Sequence, residues 1–105
     1  MADYVAVGSL DEFAPGTMRV VSVDGTDLII ANTEGRLYAF GRECSHMGAE
    51  LEDGLLEGHT VECPIHDSIF DITTGEITHG PGYGPIPVYG VRVADSRVEV
   101  DRDTL

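Results

Sequence analysis

Lysine is absent from this chain. All six basic residues are arginines, and nineteen acidic residues outnumber them, which gives a formal net charge of −13 over 105 residues. Nucleic acids and anionic membranes are themselves negative, so this charge excludes binding to them through electrostatic attraction. We expect the acidic surface to keep the protein dissolved and to steer it toward basic patches on protein partners.

Long hydrophobic runs are absent as well. No window of the sequence approaches eighteen consecutive apolar residues, so we expect no membrane-spanning helix. The first residues have neither a basic segment nor an apolar stretch of the kind that a secretory signal needs. The sequence therefore predicts a cytoplasmic protein.

Cysteine is scarce, since the chain has only Cys44 and Cys63. Without an export signal, a lone disulfide is disfavoured, and a metal or redox role is favoured for the two thiols. The length fits one domain of ordinary small size over residues 1–105. It is too short to combine a redox module with a separate catalytic domain, so we expect no enzymatic activity of its own.

Strand signals dominate the two ends of the chain. Asp24-Gly25 separates two apolar, β-branched segments and is a strong hairpin signal. The segment 97–101 alternates apolar and charged residues, as a half-buried strand does. One short helical turn is expected after Ser9, which could cap it. The predicted outer strands are residues 17–23, 26–32, 36–40, 88–93 and 97–101.

The middle of the chain, about residues 42–84, is rich in glycine, histidine and turn residues. Only short strand segments are expected there, at 60–62 and 68–72. The sequence thus predicts an all-β fold. An antiparallel sandwich or barrel forms the base, and the middle segment is a smaller, loop-built insertion carried on it.

Both cysteines and two of the four histidines lie in that insertion, as Cys44-Ser45-His46 and Cys63-Pro64-Ile65-His66. Zinc accepts two Cys and two His, but zinc fingers usually place the two Cys together and the two His together. A catalytic Cys–His pair would leave the second pair unexplained. A [2Fe–2S] cluster with two Cys on one iron and two His on the other uses all four residues and is favoured.

Two histidines remain outside this pattern. His59 lies in a turn before a strand and is interpreted as a surface residue, and His79 precedes a proline-rich loop at residues 81–87. A mononuclear iron site built from His59, His79 and Asp71 is a weaker hypothesis, because their spacing matches no known ligand pattern. The proline-rich loop, which includes Tyr83, is interpreted as a stiff connection to the last hairpin.

The pattern C-x-H followed by C-P-x-H resembles that of the Rieske family. The residues around it resemble the family too: Met47-Gly48-Ala49, Leu51, Gly54, Phe70-Asp71, Thr74-Gly75 and Gly80-Pro81. The resemblance implies a Rieske fold with one [2Fe–2S] cluster. It also implies that Cys44 and Cys63 hold one iron and that His46 and His66 hold the other, exposed iron. By the same resemblance, the proline-rich loop at residues 81–87 covers the cluster, shields it from water and helps to form the docking face.

Departures from the high-potential members of the family predict a low reduction potential. Those members have two further cysteines that clip the ligand loops together, and Ala49 and Ile65 stand at the matching positions. They also place a Ser and a Tyr hydroxyl near the cluster. Ser68 matches the first, but Phe70 lacks the second hydroxyl. A missing donor and nearby negative charge both disfavour the reduced state, and Glu43, Glu62 and Asp67 each adjoin a ligand in the sequence.

The resemblance is strongest to the small ferredoxins of bacterial aromatic-ring-hydroxylating dioxygenases. It implies a one-electron carrier between an NAD(P)H-dependent flavin reductase and a terminal oxygenase, as in biphenyl, toluene, naphthalene and carbazole systems. Docking would be transient and the carrier a monomer. Two alternatives stay open: the small Rieske subunit of an assimilatory nitrite reductase, and a structural zinc module.

Overall fold

The computed structural model describes residues 2–44, 49–65, 68–80 and 84–105. Two proposed ligands, His46 and His66, lie outside these ranges. So do Asp67 and residues 81–83 of the proline-rich loop, which include Tyr83. In the described ranges, no helix is long and apolar enough to cross a membrane.

Short strands make up nearly all of the regular structure, which confirms the all-β prediction. The strands are β1 (Tyr4–Ser9), β2 (Met18–Val23), β3 (Thr26–Thr33), β4 (Arg36–Gly41), β5 (Leu55–Glu57), β6 (Thr60–Glu62), β7 (Ile69–Asp71), β8 (Ile77–His79), β9 (Val88–Tyr89), β10 (Val91–Ala94) and β11 (Arg97–Asp101). The helical segments are single 3₁₀ turns at Leu10–Glu12, Leu51–Asp53 and Arg102–Thr104.

The strands of the described residues form three antiparallel sheets. The terminal sheet has the order β1-β11-β10, the central sheet β2-β3-β4-β9, and the third, here called the insertion sheet, β5-β6-β7-β8. The first two form the base, and the insertion sheet lies within the predicted 42–84 segment. Strands β6 and β7 were expected there, and the three-residue strands β5 and β8 complete the sheet.

Left-handed backbone at the turns explains two of the hairpins. Asp24 and Gly25 both have positive φ, at 51° and 83°, between β2 and β3. Glu34 and Gly35 repeat this between β3 and β4, with φ of 54° and 87°. Two positive φ values define a type I′ turn, whose twist matches that of the strands it joins. The hairpin predicted across Asp24-Gly25 is therefore confirmed.

The predicted strand 88–93 is divided in the structure. Val88–Tyr89 pairs with β4 of the central sheet, and Val91–Ala94 pairs with β11 of the terminal sheet. Gly90 stands at the division, where its carbonyl accepts the backbone N–H of Asp101. This segment therefore connects the two sheets of the base.

Strand β3 is buried on both faces, and this is what joins the insertion to the base. Leu28 and Ile30 pack in one core with the terminal sheet, including Val98 and Val100. Ile29 and Ala31 point the other way, into a second core. Side chains alternate between the faces of a strand, so a continuous apolar run fits a sheet that is covered on both sides.

Candidate metal centre

Cys44 begins a loop whose two ends are held together by the backbone. The N–H of Cys44 donates to the carbonyl of Ala49 at 2.8 Å. One step outward, Glu43 and Glu50 form an isolated antiparallel bridge, and the N–H of Leu51 donates to the carbonyl of Arg42 at 2.8 Å. We call residues 44–49 the first ligand loop. It follows β4 closely, so the central sheet determines where Cys44 lies.

Cys63 begins a second loop of the same kind. Its N–H donates to the carbonyl of Ser68 at 2.7 Å, and the flanking Glu62 and Ile69 are paired across β6 and β7. We call residues 63–68 the second ligand loop. In both loops the cysteine N–H bonds to the carbonyl five residues further on. Each loop also contains one of the predicted histidine ligands, and both of those histidines lie outside the described residues.

The structure places the two cysteines in one buried cluster. Cys44 is 3% exposed and Cys63 is 1% exposed. Both belong to the core that lies between the central sheet and the insertion, with Leu51, Phe70 and Ile86 among its other members. An apolar, water-excluding environment around two thiolates is typical of a metal centre whose potential the protein controls.

Ser68 gives the clearest indication that a bound group, and not side chains alone, occupies the region of the two cysteines. It is 0% exposed, and its Oγ has no hydrogen-bond partner among the described residues. A buried hydroxyl without a partner is costly, so native proteins rarely keep one without a reason. An acceptor between the two ligand loops, such as an inorganic sulfide, would satisfy it. The donor set of two cysteine sulfurs and this hydroxyl therefore fits an iron–sulfur cluster.

Three further residues of the predicted pattern are located as follows. Phe70 is fully buried in the same core and brings no hydroxyl to it. Ala49 is buried at the end of the first ligand loop, whereas Ile65 on the second is 59% exposed. An aliphatic side chain with that exposure, next to a proposed ligand, is available for contact with another protein.

Two residues of the proline-rich segment, Ile86 and Pro87, pack against the rest of the fold, and we call them the strap. Ile86 donates its N–H to the carbonyl of Gly75 at 2.8 Å, and Gly41 donates to the carbonyl of Pro87 at 2.9 Å. The Ile86 side chain is buried in the same core as the cysteines. Sequence reasoning missed Ile86, although an apolar residue between two prolines was the available signal.

The residues of the mononuclear iron hypothesis are not assembled into a site. In the described part of the chain, no three His, Cys, Asp or Glu side chains form a group that could hold a metal. His59 is exposed and packs edge-on against Tyr38 at 5.6 Å between ring centroids. Asp71 accepts hydrogen bonds from the Thr73 side chain and N–H, which hold the pKa of the Asp71 carboxyl below its usual value. His79 is exposed on β8.

Residues 3–90 match the family described as the Rieske [2Fe-2S] domain. The chain belongs to the Rieske family. Membership indicates a Rieske-type iron–sulfur cluster, in agreement with the buried cysteines and with a Ser68 hydroxyl that has no partner in the described ranges. The predicted fold is confirmed at the same time.

Several Rieske proteins resemble this chain over nearly its whole length. The naphthalene 1,2-dioxygenase system ferredoxin component of Pseudomonas aeruginosa is 37% identical over 98 residues, which cover 93% of this chain and 94% of the relative. The ferredoxin of carbazole 1,9a-dioxygenase from Nocardioides aromaticivorans IC177 superimposes with a TM-score of 0.89 at 31% identity, covering 95% of this chain and 98% of that one.

A further solved structure shows such a ferredoxin with its partner. It is a complex of reduced oxygenase and oxidised ferredoxin in carbazole 1,9a-dioxygenase. The matching chain superimposes with a TM-score of 0.86 at 31% identity, with 93% of this chain and 92% of that chain covered. These Rieske relatives are named as ferredoxins of dioxygenase systems, in line with the resemblance found in the sequence.

Proposed function

We propose that this chain is a one-electron carrier that holds a single [2Fe–2S] cluster on Cys44, His46, Cys63 and His66. The observation that carries the proposal is the burial of both cysteines in one core, each at the start of a loop closed by the same hydrogen bond. Cys44 and Cys63 would hold the inner iron, and His46 and His66 the outer one. Such a cluster takes up and releases one electron at a time.

The chain's own residues provide the environment for that electron. The core around the cysteines would keep water from the inner iron, and Ile86 belongs to that core. The Ser68 hydroxyl supplies a donor that favours the reduced state. We propose that residues 42–84 act as a cluster-binding subdomain, carried on the base within one domain over residues 1–105.

The proposed route of the electron runs from an NAD(P)H-dependent flavin reductase to the terminal oxygenase of an aromatic-ring dioxygenase. The relatives support it, since they are named as ferredoxin components of such systems, and one is seen in complex with its oxygenase. They favour the carrier over a nitrite reductase subunit. By comparison with the biphenyl, toluene, naphthalene and carbazole systems, the final substrate is an aromatic hydrocarbon or heterocycle.

We place the protein in the cytoplasm.

The surface of the insertion suits transient docking to a basic partner. Residues 42–84 contain a single basic residue, Arg42, and nine acidic ones: Glu43, Glu50, Glu52, Asp53, Glu57, Glu62, Asp67, Asp71 and Glu76. Excess charge of one sign accelerates encounter with a surface of the opposite sign. Ile65 offers an apolar contact beside His66 once the partners have met. A monomer satisfies all of these requirements.

Spectroscopy of the purified protein tests the cluster. We expect equal amounts of iron and acid-labile sulfide, two of each per chain, and an EPR signal after dithionite reduction with an average g well below two. The double variant Cys44→Ser/Cys63→Ser should lose the colour and the signal. A colourless protein containing zinc would support the structural zinc module, and a spectrum typical of four-cysteine ligation would contradict the histidine ligands.

A coupled assay tests the carrier role separately. The donor is NADH with the flavoprotein reductase of a naphthalene dioxygenase system, and the acceptor is cytochrome c, a basic protein whose reduction is visible. We expect cytochrome c reduction to depend on this chain and to slow as salt is added. A cluster-loaded chain that the reductase cannot reduce, and that dithionite does reduce, would refute the proposed donor but leave the cluster intact.

A further inference from the structure

Arg42 lies where the base, the first ligand loop and the residues after that loop meet. Its guanidinium contacts three carboxylates. Nε and Nη2 lie 2.8 Å and 2.6 Å from Oε2 of Glu52, and Nη2 also lies 3.3 Å from Oε2 of Glu50. Nη1 lies 3.2 Å from Oδ2 of Asp27 in β3. One side chain thus ties the central sheet to the chain that returns from the first ligand loop.

The backbone makes the same connection at the same place. The carbonyl of Arg42 accepts the N–H of Leu51, directly outside the bridge between Glu43 and Glu50. That bridge sets two like charges opposite each other, which is unfavourable for an antiparallel pair. The arginine offsets this repulsion, since its guanidinium binds Glu50.

Glu52 depends on Arg42 most of all. Its side chain is 16% exposed, and its Oε1 has no hydrogen-bond partner among the described residues. Burial alone would raise the pKa of Glu52, but the Arg42 hydrogen bond and the backbone N–H outweigh it and hold the pKa below its ordinary value. Without the arginine, a half-buried carboxylate would keep no cationic partner.

We propose that Arg42 is a positioning residue that holds the first ligand loop closed through its charge and so retains the cluster bound at Cys44. The proposal rests on the cluster site of the proposed function. Arg42 is two residues before Cys44, and its charge is the only positive one that residues 42–84 contribute. It therefore also favours the more negative, reduced form of the centre.

Four variants test the role of the charge: R42Q, R42K, the double variant R42Q/E52Q, and R92Q. Arg92 is a matched control. It pairs with Glu99 through Nε and Oε1 at 2.8 Å in the terminal sheet, which carries none of the proposed ligands. R92Q thus removes an Arg–Glu pair and one positive charge without touching a ligand loop. Each protein is incubated with EDTA, cluster loss is followed by visible absorbance, and the midpoint potential is measured by redox titration.

R42Q should lose its cluster about tenfold faster than the parent protein, in the range of coupled side-chain pairs, and its midpoint potential should fall. R42K should have a rate of cluster loss and a midpoint potential between those of R42Q and the parent protein. R42Q/E52Q should recover much of the retention and of the potential, because it removes the unpaired carboxylate together with the arginine. R92Q should match the parent in both measurements.

Equal retention and equal potential in R42Q and R92Q would overturn the proposal. If R42Q accumulates no folded protein, the double variant decides: recovery supports the charge-dependent role, and failure to recover contradicts it. A parent protein without a Rieske spectrum would refute the proposed function instead, so the two failures are distinguishable.

Discussion

Ser68 accepts the backbone N–H of Cys63 through its carbonyl at 2.7 Å, while its own hydroxyl is buried without a partner in the part of the chain that the structure describes. One residue thus closes the second ligand loop and keeps a hydrogen-bond donor buried at the end of that loop. Backbone and side chain serve different purposes here. The carbonyl shapes the loop, and the hydroxyl is available to the bound group.

Replacing Ser68 by Ala should lower the midpoint potential by about 60 mV, the one-electron equivalent of a single hydrogen bond of ~1.4 kcal/mol. The loop should stay closed, because the substitution keeps the carbonyl. A redox titration followed by visible absorbance measures the shift. Ser22→Ala, at an exposed position in β2, is the control. Equal potentials in the two variants would show that the Ser68 hydroxyl does not reach the cluster.

The parent protein should titrate near the low end of the Rieske range, about −150 mV, and well above the roughly −400 mV of four-cysteine ferredoxins. Phe70 supplies no hydroxyl in the core, and the acidic insertion disfavours an added electron. Phe70→Tyr should raise the potential, with some loss of stability because the position is fully buried. A parent potential well above zero would contradict this prediction.

Replacing Gly75 by Ala should destabilise the protein by at least ~2 kcal/mol. A Cβ there would collide with the carbonyl oxygen of Ile86, and the backbone φ of +83° is unfavourable for alanine in addition. Gly25→Ala is a closely matched control, because Gly25 has the same φ of +83° and nothing within 4 Å of the added Cβ. It should cost only about 1 kcal/mol.

Thermal unfolding followed by circular dichroism compares the two glycine variants. The difference between them isolates the contact between Gly75 and the strap, since the backbone strain is common to both. Faster cluster loss from Gly75→Ala than from Gly25→Ala would show, in addition, that the strap protects the site. If the two variants unfold at the same temperature, the strap is not packed against Gly75 as described.

Stability should fall in acid, starting near pH 4.5. Glu52 has a pKa held below its ordinary value of 4.5 because the Arg42 hydrogen bond outweighs burial. A carboxyl whose folded pKa is lowered contributes stability above its unfolded pKa, and this contribution disappears as the pH falls through the folded pKa. Asp24 and Asp71 are shifted in the same direction, Asp24 by its hydrogen bond from Arg102.

The unfolding temperature measured from pH 7 to pH 3 checks this prediction. E52Q should show a smaller decline than the parent protein, because a glutamine cannot take up the proton. Ser22→Ala, at an exposed position in β2, is the control and should follow the parent curve. An E52Q curve parallel to that of the parent would mean that Glu52 is not a source of the acid sensitivity.

Some of the fold was predictable because its signals are local. Asp24-Gly25 predicts a hairpin, because a type I′ turn needs positive φ at both central residues and few residue pairs adopt it. Strand β1 and the three-residue strands β5 and β8 were not predicted. Their pairing partners are distant in the sequence, or the strands are too short to show a periodic pattern. They are recognised as strands only by their hydrogen bonds to the partner strand. Likewise, the division of residues 88–94 between two sheets at Gly90 depends on which strands lie beside it in the folded protein.

By itself, the sequence provided the candidate residues of the centre, two thiols and two imidazoles in a pattern that resembles that of the Rieske family, and a strongly acidic net charge. Tertiary structure alone decided that Cys44 and Cys63 share one core, that Ser68 is buried, and that Arg42 joins Asp27 to Glu52. These contacts link residues far apart in the chain, and burial and charge pairing depend on which surfaces the folded sheets bring together.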